Sequence, residues 1–203
     1  DESGWFNQTD LTWHNELGGF RQEWLVGAEF GVQDKRAYTV SSATGFERVS
    51  IPNPVAVPPP IPAASYLATS AIPNNSTFKT AALYAQNQIT LAPQWKALVG
   101  GRYDVFDQET SFERTLAPLA RTDRKFSPRA GLVWQPSETQ SYYLSYSRSF
   151  QPSAETFALS ASNAANDPEI TVNKEIGTKL DFLDGALNFT AAVFNLERSG
   201  IKN

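Results

Sequence analysis

The sequence runs to 203 residues, with 17 basic and 21 acidic side chains, one histidine, and neither cysteine nor methionine. A net charge of −4 argues against a general nucleic-acid binder, which needs a basic face, and the missing cysteine excludes disulfide frameworks and thiolate metal sites. No apolar run approaches the roughly 20 residues of a membrane-spanning helix, a test that is blind to membrane β-barrels because their strands carry apolar residues only on alternate positions.

The chain opens Asp1-Glu2-Ser3-Gly4 with no charged n-region and no apolar h-region, so an internal segment of something longer is expected. Period-2 alternation then dominates over helical spacing. Eight strands are predicted, at about 6–15, 20–33, 77–91, 95–112, 125–135, 141–151, 173–182 and 186–198. In the second, Trp24, Val26, Ala28, Phe30 and Val32 share one face against Gly27, Glu29, Gly31 and Gln33, with Leu25 the exception. The third is ambiguous, since Tyr84 and Ile89 fall on opposite parities. In the fourth, Trp95, Ala97, Val99, Tyr103 and Val105 oppose Lys96, Arg102 and Asp104; in the fifth, Phe126, Ala130, Leu132 and Trp134 oppose Ser127 and Arg129. The seventh sets Ile176, Leu180 and Phe182 against Glu175, Lys179 and Asp181, and the eighth sets Leu187, Phe189, Ala191 and Val193 against Asn188 and Thr190.

The connections alternate in length. Leu17-Gly18-Gly19, Ala92-Pro93-Gln94, Pro136-Ser137-Glu138-Thr139 and Asp184-Gly185 are short and carry turn residues, Asp-Gly being the strongest hairpin signal among them. The others are long, at about 35–76, 113–124 and 152–172, and the first of these holds seven of the thirteen prolines. In an up-and-down meander every second connection lies at the same end, so all short turns fall at one end and all long loops at the other. Outer-membrane barrels have this asymmetry. Aromatic residues flank the short turns: Trp13 and Phe20, Trp95, Trp134 and Tyr142, Phe182 and Phe189. Rings held at one depth make an interfacial girdle; the alternative is that they are ordinary hairpin aromatics. A soluble sandwich also alternates apolar and polar residues, but the many small residues on the apolar faces suit lipid better than a water-excluded core.

Several stretches in order resemble TonB-dependent siderophore receptors. They are Phe126-Ser127-Pro128-Arg129-Ala130-Gly131-Leu132-Val133-Trp134-Gln135-Pro136, then Ser141-Tyr142-Tyr143-Leu144-Ser145-Tyr146-Ser147-Arg148-Ser149-Phe150, then Asn173-Lys174-Glu175-Ile176-Gly177-Thr178-Lys179-Leu180-Asp181. Ala191-Ala192-Val193-Phe194-Asn195-Leu196-Glu197 follows, and upstream Leu83-Tyr84-Ala85-Gln86-Asn87-Gln88 and Gly100-Gly101-Arg102-Tyr103-Asp104 are similar too. The segment at 152–166 is most like the catecholate-siderophore branch.

The resemblance implies an all-β fold, an antiparallel up-and-down transmembrane β-barrel of which this chain supplies about eight of 22 strands. It implies a bacterial outer-membrane location among lipid and lipopolysaccharide, TonB-dependent uptake of a ferric siderophore, and coupling to TonB through a plug domain that residues 1–203 do not contain. No cofactor is expected, because iron arrives already chelated. Alternatives are a small structural or pore-forming outer-membrane barrel, a soluble β-rich enzyme or sandwich, and a receptor for another chelate such as haem or cobalamin.

No catalytic constellation is visible, and the lone imidazole of His14 cannot anchor a cluster; the chain reads as a non-enzyme. Asp104, Glu175 and Asp181, near Arg102, Arg148 and Lys179, suit either a ligand site or an ion-pair network inside a barrel. Gly100-Gly101 suggests a bulge or a close backbone approach. Catecholate chelates are anionic, so capture calls for cations and stacking rings. Candidates near the long loops are Arg121, Arg124 and Lys125, with Arg114; Tyr66, with Arg48; and Arg148 and Phe150, with Phe157.

Overall fold

A computed structural model describes residues 1–37, 74–112, 117–152, 159 and 164–200. Eight strands run β1 Glu2–Leu17, β2 Phe20–Ala37, β3 Asn74–Ala92, β4 Trp95–Phe112, β5 Leu119–Ser137, β6 Gln140–Gln151, β7 Glu169–Phe182 and β8 Leu187–Ser199. Each pairs antiparallel with the next, giving one sheet in the order β1 to β8. Among the described residues β1 and β8 lie at opposite edges and do not pair, so these strands do not close on themselves as a small barrel would.

Register follows from the turns. Gly18 and Gly19, with φ of +62° and +80°, make a two-residue turn whose left-handed backbone matches strand twist, and Leu17 pairs directly with Phe20. The last short turn differs from expectation. It spans four residues rather than Asp184-Gly185 alone, with Phe182 facing Leu187 and with Leu183 and Asp184 themselves at positive φ. The Gly185 N–H donates to the Phe182 carbonyl at 3.2 Å, and the Ala186 N–H to that of Leu183 at 3.1 Å.

Cross-strand partners share a face, so the ladder register sorts every strand. One face carries Trp13, Trp24, Val26, Phe30, Leu83, Val99, Tyr103, Phe126, Leu144, Ile176, Phe189 and Val193. It is bare: Leu83 is 63% exposed, Val99 53%, Ile176 64% and Val193 74%. The other face is polar and concave, with cavities of about 500 and 420 Å³ opening on it. The ambiguity in β3 resolves with Ile89 on the apolar face and Tyr84 on the polar one. Buried apolar side chains among the described residues are only Phe78, Ala82 and Leu159. A sandwich needs two sheets facing across a dry core, and here there is one sheet whose oily side faces outward.

Aromatic ladders edge the apolar face beside the short turns. Trp13 stacks on Trp24 with ring centroids 5.7 Å apart, and Trp95, Trp134 and Tyr142 stack in sequence at 5.9 and 5.3 Å. The Trp24 indole N–H donates to Gln22, which also accepts from Asn87, both at 3.0 Å, so the indole keeps a polar partner at this boundary.

One sequence expectation needs correction, and one stated as alternatives is decided. β5 begins at Leu119, not near 125, because Leu119–Lys125 pairs residue for residue with Thr110–Asp104 of β4. The connection expected over 113–124 is therefore shorter. Gly100-Gly101 is not a bulge: the register runs unbroken through Gln86 and Ala85 on one side and Arg129 and Pro128 on the other. The close backbone approach is at Gly100, where a Cβ would lie 2.7 Å from the Ala85 carbonyl oxygen.

Candidate functional site

The concave face toward the long-connection ends holds a cavity of about 500 Å³, lined by Phe6, Phe78, Phe106 and Phe150 together with Glu29, Arg102 and Asp104. Two strands, β2 and β4 on either side of β3, supply the charged group. Arg102 of β4 donates through Nη1 to Glu29 of β2 at 2.9 Å and through Nε to Asp104 at 2.7 Å. Its guanidinium lies over the Tyr84 ring, 5.5 Å from the centroid. The Tyr84 hydroxyl donates to Asp10 of β1 and accepts from Gln8 Nε2 at 2.9 Å. Gly27, directly across from Tyr84, leaves room for that ring and for Asp10. Asp104 is buried and paired with Arg102, as a desolvated carboxylate must be. The result is a braced wall with phenyl rings facing the open side.

A second polar cluster sits farther up β5. Arg121 grips Asp123 at 2.8–3.0 Å and donates through Nη1 to the Ala164 carbonyl at 2.8 Å. Beside it, the hydroxyls of Ser76 and Thr110 lie 2.9 Å apart, and the Leu159 N–H donates to Thr110 at 3.2 Å. A third contact, farther down, joins the Tyr143 hydroxyl to Glu175 at 2.6 Å over Gly177.

The residues expected to meet ligand are not brought to one place. Arg121 lies within β5 with its side chain only 14% exposed and committed to Asp123, so it is a brace and not a loop cation. Arg124 and Lys125 point to opposite faces: Arg124 pairs with Val105 on the apolar side, Lys125 with Asp104 on the concave side. Arg148 follows the parity of Tyr146. Phe150 does line the cavity, beyond Ser147 where the ladder to β5 ends. Tyr66, with Arg48, Arg114 and Phe157, lies outside the described residues. Of the carboxylates singled out, Asp104 pairs with Arg102 while Glu175 and Asp181 accept from Tyr143 and Asn188. His14 is on the concave face, 3.9 Å from Glu23, with both side chains exposed. Sequence reasoning missed Phe6, Phe78 and Phe106; the available signal was an apolar residue on the polar parity of its strand.

Among the described residues no group of three or more His, Cys, Asp or Glu side chains is placed to hold a metal ion. Among the described residues no helix is long and apolar enough to cross a membrane, which says nothing of strands.

A wall of long strands with one oily and one polar face is matched in known proteins. Residues 1–201 match the family model for the TonB dependent receptor-like β-barrel. The chain belongs to the TonB-dependent receptor β-barrel family. It is 30% identical over 228 residues to the "Probable TonB-dependent siderophore receptor PiuA" of Acinetobacter baumannii, a match covering 100% of this chain and 30% of that protein. It is 31% identical over 134 residues to the metal-pseudopaline receptor CntO of Pseudomonas aeruginosa, covering 63% of this chain and 18% of that one. The crystal structure of PiuA superposes with a TM-score of 0.73 at 27% identity, over 95% of this chain and 31% of PiuA. The closed form of the ferric-catecholate import receptor Fiu of E. coli K12 gives 0.77 at 23% identity, over 97% of this chain and 31% of Fiu, and there the likeness is one of fold. The chain thus spans about a third or less of these relatives, and its eight strands are a sector of a TonB-dependent receptor barrel wall. Barrels of this family are outer-membrane receptors and transporters, not enzymes.

Proposed function

We propose that this sector belongs to an outer-membrane receptor for active uptake of a ferric siderophore, of catecholate type, driven by TonB through a plug domain inside the barrel. The observation that carries the reading is the two-sided wall. A continuous exposed apolar face suits lipid, and behind it an aromatic-lined concave cavity faces the lumen. Support for the siderophore comes from PiuA, which matches the whole chain, and support for the catecholate from the segment at 152–166 and the fold of Fiu. Iron enters already chelated, so the chain contributes no metal ligand. Its part is to hold the anionic chelate with cations and rings: Lys125 and Phe150 on or beside the concave face, Arg124 and Arg148 at the rim, and Tyr66 from the first long connection. Lipid and lipopolysaccharide cover the apolar face.

The test is uptake of radiolabelled metal by cells carrying the intact receptor, iron being supplied as a ferric tris-catecholate, a ferric tris-hydroxamate or haem, and cobalt as a cobalamin. Energy-dependent uptake of the catecholate above the rest is the expected result. Preference for another chelate would overturn the catecholate assignment, and uptake of none would overturn the transport reading.

A further inference from the structure

The connection between β6 and β7 makes its contacts away from the strands it joins. Gln151 faces Glu169 across the β6–β7 ladder, so a tight turn would suffice to link them. Residues 152–168 instead reach back to β4 and β5. The Leu159 N–H donates to the Thr110 hydroxyl of β4 at 3.2 Å, and the Ala164 carbonyl accepts from Arg121 Nη1 of β5 at 2.8 Å. Both strand residues are on the concave side, since Thr110 shares the parity of Phe106 and Arg121 pairs with Gln108. Of the two cavities on this face, the 420 Å³ one lies toward the short turns and the 500 Å³ one above it. Pro152 and Phe106 line the upper cavity, and Thr110 stands beyond Phe106 toward the long connections, roughly 13 Å along the strand at the usual rise.

Both contacts sit in a buried corner of an otherwise open sheet. Leu159 is 1% exposed and Thr110 0%, and Ser76, Gln108 and Asp123 beside them are buried too. Polar side chains elsewhere on this face, such as His14 and Glu23, stand open to solvent. One face of a single sheet does not bury so many polar groups unaided, so this corner is covered, and Leu159 and Ala164 belong to the cover. Buried polar groups need partners, and these have them. The Thr110 hydroxyl lies 2.9 Å from that of Ser76. Asp123 engages Nε and Nη2 of Arg121 at 2.8–3.0 Å, which leaves Nη1 for the Ala164 carbonyl. A guanidinium fork serves both acceptors at once, and a lysine ammonium does not offer that geometry.

We infer that Thr110 and Arg121 are positioning residues that strap the β6–β7 connection across the outer mouth of the aromatic cavity before any chelate arrives, and that this strap sets how long a captured chelate stays. The connection starts at the cavity wall with Pro152, is pinned to β4 at Leu159, and is pinned to β5 at Ala164 before it returns to β7. Neither Thr110 nor Arg121 touches the chelate; each acts through the segment it holds. The inference rests on the proposed uptake function and deepens it by assigning residence of the cargo to two residues outside the cavity.

The experiment uses the intact receptor in detergent with Thr110→Val and Arg121→Lys combined. Valine keeps the shape of threonine without its acceptor, and lysine keeps the charge facing Asp123 without the fork that reaches Ala164. Thr110→Ser alone, which keeps the acceptor, is the conservative control. Three quantities are read: chymotrypsin cleavage after Phe157 and Leu159 with no chelate present, the thermal unfolding midpoint, and the association and dissociation rates of a ferric tris-catecholate. Cleavage should be on the order of tenfold faster in the double variant, since each lost hydrogen bond raises the open population severalfold. Dissociation should also be on the order of tenfold faster with association no slower, the usual way a lost contact weakens binding. The midpoint should stay near wild type because the β4–β5 ladder is unchanged, and Thr110→Ser should match the wild type throughout. Wild-type cleavage rates in the double variant overturn the strap. Faster cleavage with unchanged dissociation overturns its part in residence. A midpoint several degrees lower also overturns the inference, because the wall itself would then have loosened. If the wild-type receptor binds no ferric chelate, the residence role falls together with the uptake reading. That outcome is told apart from failure of the strap by the cleavage rates, which need no chelate.

Discussion

At the residue scale, the concave face is ordered by pairs in which an aromatic ring lies over a glycine on the next strand. Phe6 lies over Gly31, Tyr84 over Gly27 and Tyr143 over Gly177, each pair directly opposed in the ladder. The missing Cβ gives the ring a flat seat, and the seat aims each hydroxyl at a carboxylate, Asp10 for Tyr84 and Glu175 for Tyr143. A Cβ on Gly177 would sit 2.5 Å from the Tyr143 ring carbon Cζ and its hydroxyl, so the whole ring must move. Gly177→Ala should therefore lower the thermal unfolding midpoint of the detergent-solubilised receptor, at a cost of about 1–3 kcal/mol for overpacking. Combining it with Tyr143→Ser should cost less than the two single changes summed, because the clash is gone. Additive losses would mean that ring and glycine do not touch.

At the element scale, β5 shows why cations near a predicted loop do not form one site. Residues 119–124 carry three charges and read as loop, but the ladder continues through them, with Arg121 and Asp123 answering each other on the concave face. Asp123 is buried, and Arg121 covers it while also reaching Ala164. Period 2 then sends Arg124 and Lys125 to opposite faces. The three cations should consequently separate in experiment. Arg121→Gln leaves a buried carboxylate short of its partner and should destabilise the wall by about 1–3 kcal/mol, seen as a lower unfolding midpoint. Lys125→Gln should leave the midpoint alone and weaken capture of an anionic ferric siderophore, with the difference shrinking as salt rises because exposed charges are screened beyond about 8 Å at physiological ionic strength. Equal effects on stability from both changes would refute the separation. The same element marks the limit of sequence reading. Strand parity in β2, β4, β7 and β8 was legible because alternation needs no knowledge of neighbours. The start of β5, the pairing of Arg121 and the inward rings of Phe6, Phe78 and Phe106 depend on what stands across the ladder, which a single strand's pattern does not contain. Leu183 and Asp184 at positive φ were hidden for a related reason: neither residue type advertises a left-handed backbone as Gly18 and Gly19 do.

At the scale of the whole molecule, one sheet with its oily face outward is stable only if something other than water meets that face. Strands of 12 to 19 residues exceed the roughly 9–11 needed to cross a bilayer, and the aromatic ladder marks where the apolar band begins at the short-turn end. Val99 stands four residues from Trp95 on the same face, about 14 Å along the strand at the usual rise. With the strand tilt usual in such barrels this places Val99 near the middle of an apolar band about 25 Å tall. It is 53% exposed between Asn87 and Ala130, so an arginine there finds no described acid and must face lipid. Val99→Arg should cost about 2–4 kcal/mol, the depth-dependent penalty for a cation near the midplane, and should reduce the folded fraction in lipid vesicles. Leu98, one residue earlier, lines the lower concave cavity, and Leu98→Arg there adds a cation to a hydrated recess. That variant should assemble at close to the wild-type level. The pair is a direct test of parity, because a one-residue shift moves every side chain to the other face. If Leu98→Arg blocks assembly while Val99→Arg is tolerated, the lipid and lumen faces are reversed, and the concave placement of both cavities is lost with them.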